Sequence, residues 1–244
     1  MKSLYGGKGG FVFFAILLLI GNATSQSLGD ETKRVIADLK FGNWIKKGES
    51  AEKIAEMTGI PIEERLQLLF EVLEEECRVK TSDKKPEGSY KTISVYLKDQ
   101  YTYAIAVAGI EDPTLILRHL DKAEGEFKNR LTLSLGLLKI KDNAITSGII
   151  QLAKSSQDGY IRTMAIRVLS EWKDKKLIPI FNEGLNDNFK IKIKTDLINT
   201  NTVKGKDGYY YKEYYPVRNE AATALKKLGI NVKRNKNDFW VENL

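Results

Sequence analysis

Three observations predict an all-α fold of stacked helix–turn–helix units with one small inserted β-hairpin near the C-terminus. Segments beginning at Arg130 (RLTLSLGLLKI), Arg162 (RTMAIRVLSEW) and Arg218 (RNEAATALKKL) superpose, each with apolar residues three, seven and ten positions after the arginine. Further amphipathic stretches lie between these copies. A single period-two segment, residues 189–195 (FKIKIKT), interrupts the helical pattern before the last copy.

The aligned triplets are Leu133/Ala165/Ala221, Leu137/Leu169/Leu225 and Ile140/Trp172/Leu228, and the sixth position is small or branched in Gly136, Val168 and Ala224. Those offsets fall on one helical stripe, the side that must be buried. The arginine is expected to open each helix, with Glu126 and Asp158 four residues earlier to pair with it one turn on. A weaker fourth copy starts at Tyr101, with Ala104, Val107 and Ala108 on the stripe.

The intervening stripes are Leu115/His119/Ala123, Ile145/Ile149/Ala153 and Leu177/Phe181/Leu185, each entered through a short polar turn. A single pair could not bury both of its faces, so pairs are expected to stack. The copies follow at intervals of 29, 32 and then 56 residues, so the last interval holds an insertion of roughly two dozen residues.

Upstream, residues 26–79 read as an N-terminal helical cap. Pro61, Glu63 and Glu64 mark a helix start, and Leu66, Leu69, Phe70, Leu73 and Cys77 mark its apolar face. Residues 80–97 read as a loop or linker, 98–232 as repeats with a hairpin at 189–215, and 233–244 as a C-terminal tail. Trp172 falls on the buried stripe, whereas Trp44 and Trp240 are expected to cap the two ends.

Residues 1–10 carry Lys2 and Lys8 and no acid, residues 11–20 (FVFFAILLLI) are apolar, and Ala23-Thr24-Ser25 supplies small residues. That is the pattern of a secretory signal peptide over 1–25, with cleavage expected before Gln26. A membrane anchor would need about twenty apolar residues, twice this run. The exported product is expected in the periplasm, the cell envelope or outside the cell, as a monomer with no membrane span. Cys77 is the lone cysteine and His119 the lone histidine, so an intramolecular disulfide and a histidine-rich metal cluster are excluded by count.

The whole chain is +7, and removal of Lys2 and Lys8 leaves 37 basic against 32 acidic residues. That mild surplus could favour anionic partners, but no motif for reading bases is present, and no nucleic acid is expected.

The residues at this point resemble a family. Residues 158–169 (DGYIRTMAIRVL) and 215–230 (YPVRNEAATALKKLGI) are similar to the HEAT-repeat pattern of bacterial proteins. The resemblance covers residues 98–232. It departs at the first copy, where Tyr101 replaces the arginine, and after Arg130, where leucines stand in place of alanines. It implies a HEAT-like α-solenoid, a right-handed α-α superhelix, of a family that consists mostly of binding scaffolds. Two enzymatic HEAT-like groups, bilin lyases and alkylpurine DNA glycosylases, have no recognisable active-site motif here, and export argues against both.

The insertion is the candidate site. Residues 209–215 (YYYKEYY) are aromatic-rich, and with 189–195 they read as a hairpin joined through 201–208. Lys190, Lys192 and Lys194 are expected on one side and Ile191 and Ile193 on the other, against the helices, with Tyr209, Tyr211 and Tyr215 sharing a face. Tyrosine offers rigid amphipathic area and lysine attracts anions, so these six residues form a candidate partner-binding surface. The alternative is a purely structural hairpin.

No glycine-rich phosphate loop is present, no histidine is set to serve a nucleophile, and no acidic pair stands apart from solvated helix faces. No enzyme activity and no cofactor are therefore expected. A protein partner is the favoured reading, and a carbohydrate or anionic polymer held by the tyrosine–lysine hairpin is the alternative.

Overall fold

Most helices begin where a short polar side chain accepts a free backbone N–H of the first turn, or where a proline leaves one fewer N–H to satisfy. The computed structural model describes residues 29–79, 89–140, 142–195, 202–234 and 240–242, and the leader expected at 1–25 lies outside the described residues. The helices are α1 (residues 29–41), α2 (Trp44–Glu56), α3 (Ile62–Arg78), α4 (Ser89–Ala108), α5 (Pro113–Leu120), α6 (Gly125–Leu137), α7 (Asn143–Ser155), α8 (Gly159–Glu171), α9 (Ile178–Gly184) and α10 (Pro216–Lys227). Asn43 caps α2, Asp112 caps α5, Asp142 caps α7 and Asp158 caps α8, each side chain accepting from a backbone N–H inside the first turn. Pro113 and Pro216 open α5 and α10, where a missing N–H costs nothing. Gly229 leaves α10 at φ +82, the left-handed region that ends helices.

Helices α2, α4, α6, α8 and α10 pack one on the next in that order. In a second row α3 lies on α5 and α7 on α9, while α5 contacts α6, α7 contacts α8, and α9 contacts α10. The aligned stripes lie in the core: Leu133, Ala165, Ala221, Leu169, Leu225, Val168 and Ala224 are buried, as is Gly136. A methyl group at Gly136 would strike Ile149 and come within 2.6 Å of Val168, so α6 approaches α7 and α8 as closely as it does because this position carries no side chain. The Gly136 carbonyl accepts a 2.9 Å hydrogen bond from the indole of Trp172, which is half-buried against the core.

Three buried arginines hold neighbouring elements together. Arg65 donates to the Ala55 carbonyl and to both carboxylate oxygens of Glu111, each at 2.7 Å, tying the α2–α3 pair to the turn after α4. Arg130 reaches back to Asp99 on α4 and lies 3.5 Å from Glu126. Arg218 on α10 donates to the Asp187 carbonyl and, at 3.1 Å, to Asn188.

Several expectations are corrected. Arg130 and Arg162 do not open their helices, since α6 starts at Gly125 and α8 at Gly159, whereas Arg218 lies in the first turn of α10. Asp158 is spent as the α8 cap, so Arg162 pairs instead with Asp187, 25 residues on. Helix α4 already begins at Ser89, within the stretch 80–97 read as linker. Val107 is 42% exposed while Tyr101, Ala104 and Ala108 are buried, so the stripe of α4 runs through offset seven and not six. The tail also holds structure: Val232–Arg234 and Trp240–Glu242 pair as antiparallel strands beside α10. Trp44 caps little, being 42% exposed with its ring edge-on to Tyr96 at 5.5 Å.

The expected two-stranded hairpin is a three-stranded antiparallel sheet. Strands β1 (Ile191–Lys194), β2 (Thr202–Lys204) and β3 (Tyr210–Tyr214) take the order β1-β3-β2, with β3 in the centre. Residues 201–208, expected only to join the two strands, contain β2. The turn at Gly205–Gly208 folds residues 202–204 directly back on β3: Gly208 adopts φ +85, and its N–H donates to the Gly205 carbonyl at 3.1 Å.

Candidate functional site: one face of the C-terminal sheet

The register fixes which side chains share a face. Ile191 stands opposite Tyr214, Lys192 opposite Glu213, Ile193 opposite Lys212 and Lys194 opposite Tyr211, while Val203 stands opposite Tyr211 on the other side. Directly opposed residues of an antiparallel pair project to the same side. One face therefore carries Lys192, Lys194, Glu213, Tyr211 and Val203, continued by alternation to Lys190, Tyr209 and Tyr215. The other carries Ile191, Ile193, Tyr210, Lys212 and Tyr214.

The apolar face is only half-buried, and neither Ile191 nor Ile193 belongs to the core or to the shell packed against it. This corrects the expectation that these isoleucines pack on the helices. The sheet is held at its roots instead. Phe189, just before β1, lies on Gly159 at the start of α8, where any side chain would occupy the ring's position, and its ring meets Tyr160 edge-on at 4.9 Å. Arg162 clamps Asp187 with two bonds of 2.7 and 3.0 Å, and Asp187 accepts the Phe189 N–H at 2.7 Å. Arg218 binds the entry at Asp187 and Asn188 and covers the exit, its guanidinium 4.2 Å from the Tyr215 ring. Arginines of two repeat copies thus seat both ends of the insertion.

Replacing Phe189 with alanine is expected to release that seat. A fully buried phenylalanine contributes about 3–5 kcal/mol, and a half-buried one roughly half of that. Hydrogen exchange of the β1 and β3 amides should accelerate while the helical far-UV signal stays unchanged. Unaltered exchange in the strands would show that the sheet is held elsewhere.

All six residues singled out in the sequence reach the same face, and two carboxylates that sequence reasoning passed over organise them. Glu213 takes a 2.6 Å ion pair from Lys190 and a 2.8 Å hydrogen bond from the Tyr215 hydroxyl. Asp207 accepts the Tyr211 hydroxyl at 2.5 Å and the Tyr209 N–H at 3.2 Å. The Lys194 ammonium sits 3.1 Å from the Tyr209 ring centroid. Hydrogen bonding from Lys190, and then from Tyr215, holds the Glu213 carboxyl below the usual range, and the bond from Tyr211 does the same for Asp207. The bonds to these carboxylates raise the hydroxyls of Tyr215 and Tyr211. Both carboxylates are therefore charged at neutral pH, and both phenols are neutral donors with fixed ring orientation. A signal for Asp207 was present in the sequence, since Asp-Gly before a strand marks a turn. Glu213 could be placed only once the register was known.

Elsewhere, Cys77 and His119 line a cavity of about 630 Å³ with Glu74, Arg78, Glu126 and Phe127. Burial pushes the Cys77 thiol up to about 12, so it stays protonated at neutral pH, and the half-buried His119 imidazole, stacked on Phe70 at 4.1 Å, is lowered by burial. Among the described residues no group of three His, Cys, Asp or Glu is placed to hold a metal ion, and no helix is long and apolar enough to cross a membrane. Compared with models of known protein families, with curated proteins and with solved structures, the chain matches none.

Proposed function

We propose that this chain is an exported, non-catalytic scaffold of HEAT-like helical repeats, an α-solenoid, that holds a protein partner on its C-terminal sheet. A row of amphipathic helices, α2, α4, α6, α8 and α10, each packed on the next and flanked by a second set, supports the repeat reading. The observation that carries the binding reading is the tyrosine–lysine face itself. Tyr209 is 51% exposed under the Lys194 ammonium, and the hydroxyls of Tyr211 and Tyr215 are each fixed by a carboxylate. Rings already held in place lose little freedom when a partner lands on them, so more of the contact energy becomes affinity. In this reading the protein acts as a monomer without a cofactor.

Serine at Tyr209, Tyr211 and Tyr215 together should abolish capture of the partner from the native envelope while the helical signal and melting temperature hold. A triple variant that captures as well as the parent removes the face from consideration, and one that melts early makes the tyrosines structural.

A carbohydrate- or anion-binding module is the second reading, favoured by the exposed Tyr209 ring. Its ionic version is weakened by Glu213, which neutralises Lys190, and by Asp207 beside Tyr211. Raising ionic strength should release an anionic ligand and leave an apolar contact in place.

A further inference from the structure

The open edge of β1 carries a specificity that the face alone does not. Thr195 donates its N–H to the Tyr210 carbonyl at 2.9 Å, so Thr195 and Tyr210 form a hydrogen-bonded pair. Alternation along the ladder then makes Ile193–Lys212 and Ile191–Tyr214 hydrogen-bonded pairs as well. The other side of β3 agrees: Gly205 donates to Tyr209 at 2.7 Å, so the odd-numbered residues of β3 point their backbone groups at β2 and the even-numbered ones at β1. The backbone N–H and C=O of Lys192 and Lys194 therefore point away from the sheet, and among the described residues no strand lies beyond them.

That edge is chemically two-sided. Lys192 and Lys194 project to one face, and the half-buried Ile191 and Ile193 to the other. Lys190 is engaged by Glu213 and Lys194 lies over Tyr209, whereas Lys192 has no hydrogen bond or ion pair to a side chain among the described residues. Lysines on an edge strand disfavour pairing of like with like, since two β1 edges of this kind would set lysine against lysine. The same charges favour a strand that brings acids opposite them.

We propose that β1 accepts, by antiparallel strand addition, an extended segment of a protein partner in which acidic and apolar residues alternate. The acids stand opposite Lys192 and Lys194, and the apolar side chains complete the half-covered surface of Ile191, Ile193 and Tyr214. Main-chain bonds to the Lys192 and Lys194 peptides supply affinity, and the alternation supplies selection. This proposal rests on the reading of the sheet as the partner surface and names the chemistry of the partner.

The test uses the chain from residue 26 onward and an acetylated, amidated octapeptide alternating glutamate and valine, followed by fluorescence anisotropy. In the antiparallel arrangement the residue opposite Lys192 turns its own N–H toward β1. N-methylation of the glutamates should therefore abolish binding, and N-methylation of the valines should leave it. Lys192→Pro removes one outward N–H without disturbing the bonds to β3, because an edge strand tolerates proline on its open side. It should weaken the peptide by at least about tenfold, and Lys192→Ala, which removes charge alone, by roughly threefold. Polyglutamate of equal length should bind weakly.

Equal effects of the two methylated peptides, equal effects of Lys192→Pro and Lys192→Ala, or polyglutamate binding as well as the alternating peptide would each overturn the proposal. If the parent peptide fails to bind while serine at the three tyrosines still abolishes partner capture, strand addition falls and the sheet-face reading stands. Loss of both results removes the sheet as the site.

Discussion

Alanine at Arg130 should lower the melting temperature by on the order of 10 °C. The side chain is fully buried, bonded to Asp99 on α4, 3.5 Å from Glu126 on its own helix and 3.2 Å from the Met164 sulfur on α8. It thus touches three successive helices of one row. Removing one member of a buried ion pair costs about 3–5 kcal/mol. Asp99 and Glu126 keep about a quarter of their side-chain surface in water, which places the loss near the lower end. At roughly 2–4 °C per kcal/mol for a chain of this length, about 3 kcal/mol gives the stated shift.

Methionine at the same position should cost less than alanine by about 1 kcal/mol, the cavity that alanine leaves, because both variants strip the guanidinium from Asp99 and Glu126. The Arg130 Nη2 has no hydrogen-bond partner and Nε none of hydrogen-bonding geometry, so part of the desolvation cost of the guanidinium is not recovered in the folded chain. Both variants remove that cost, and methionine alone keeps most of the buried volume. Thermal and urea unfolding followed at 222 nm distinguish the two variants. Equal melting of the alanine and methionine variants would mean that volume carries no weight here, and a shift below about 2 °C for alanine would mean that the pair carries none.

Much of this architecture was legible in the sequence, for a physical reason. A helix that packs on two neighbours must repeat its apolar residues at helical spacing, so the offsets of three, six or seven and ten could be read without coordinates. Small residues at the sixth offset likewise signalled close helix approach, and Gly136 meets that description most literally. The partners of the arginines were not legible. Arg162 to Asp187 and Arg65 to Glu111 close loops of 25 and 46 residues, and nothing local distinguishes those carboxylates from solvated ones.

The sheet shows the same division. Alternation of Ile191, Lys192, Ile193 and Lys194 announced β1 and its two faces. Strand β2 was missed because three residues with one apolar side chain carry no period, and its pairing is enforced by the Gly205–Gly208 turn. The candidate lysines and tyrosines were found from residue type. Of the carboxylates that orient them, Asp207 was signalled by its Asp-Gly turn, whereas Glu213 was not, because its ion pair with Lys190 depends on the register that sets β1 against β3.

Sequence equivalence between repeat copies is not energetic equivalence, and truncation at the seventh offset should separate the two. Leu169 and Leu225 are fully buried on α8 and α10, whereas Leu137, their counterpart at the end of α6, is half-buried. Leu169→Ala and Leu225→Ala should each cost about 3–4 kcal/mol, and Leu137→Ala about 1–2 kcal/mol. Leu169 lies in the middle of the row, in the helix that contacts α6, α7 and α10, whereas Leu225 lies at its C-terminal end, in the helix that contacts α8, α9 and the two strands that follow it. In a row where each helix contacts only its neighbours, stability is close to a sum of local and nearest-neighbour contributions. A cavity in α8 should therefore weaken both junctions and broaden the urea transition, while one in α10 should loosen only the C-terminal end together with the sheet that Arg218 seats. Strand exchange faster than helix exchange in Leu225→Ala, and uniform acceleration in Leu169→Ala, is the expected pattern. Identical exchange profiles for the two variants would mean that the helices unfold as one indivisible core, and the row would then not behave as a chain of neighbours.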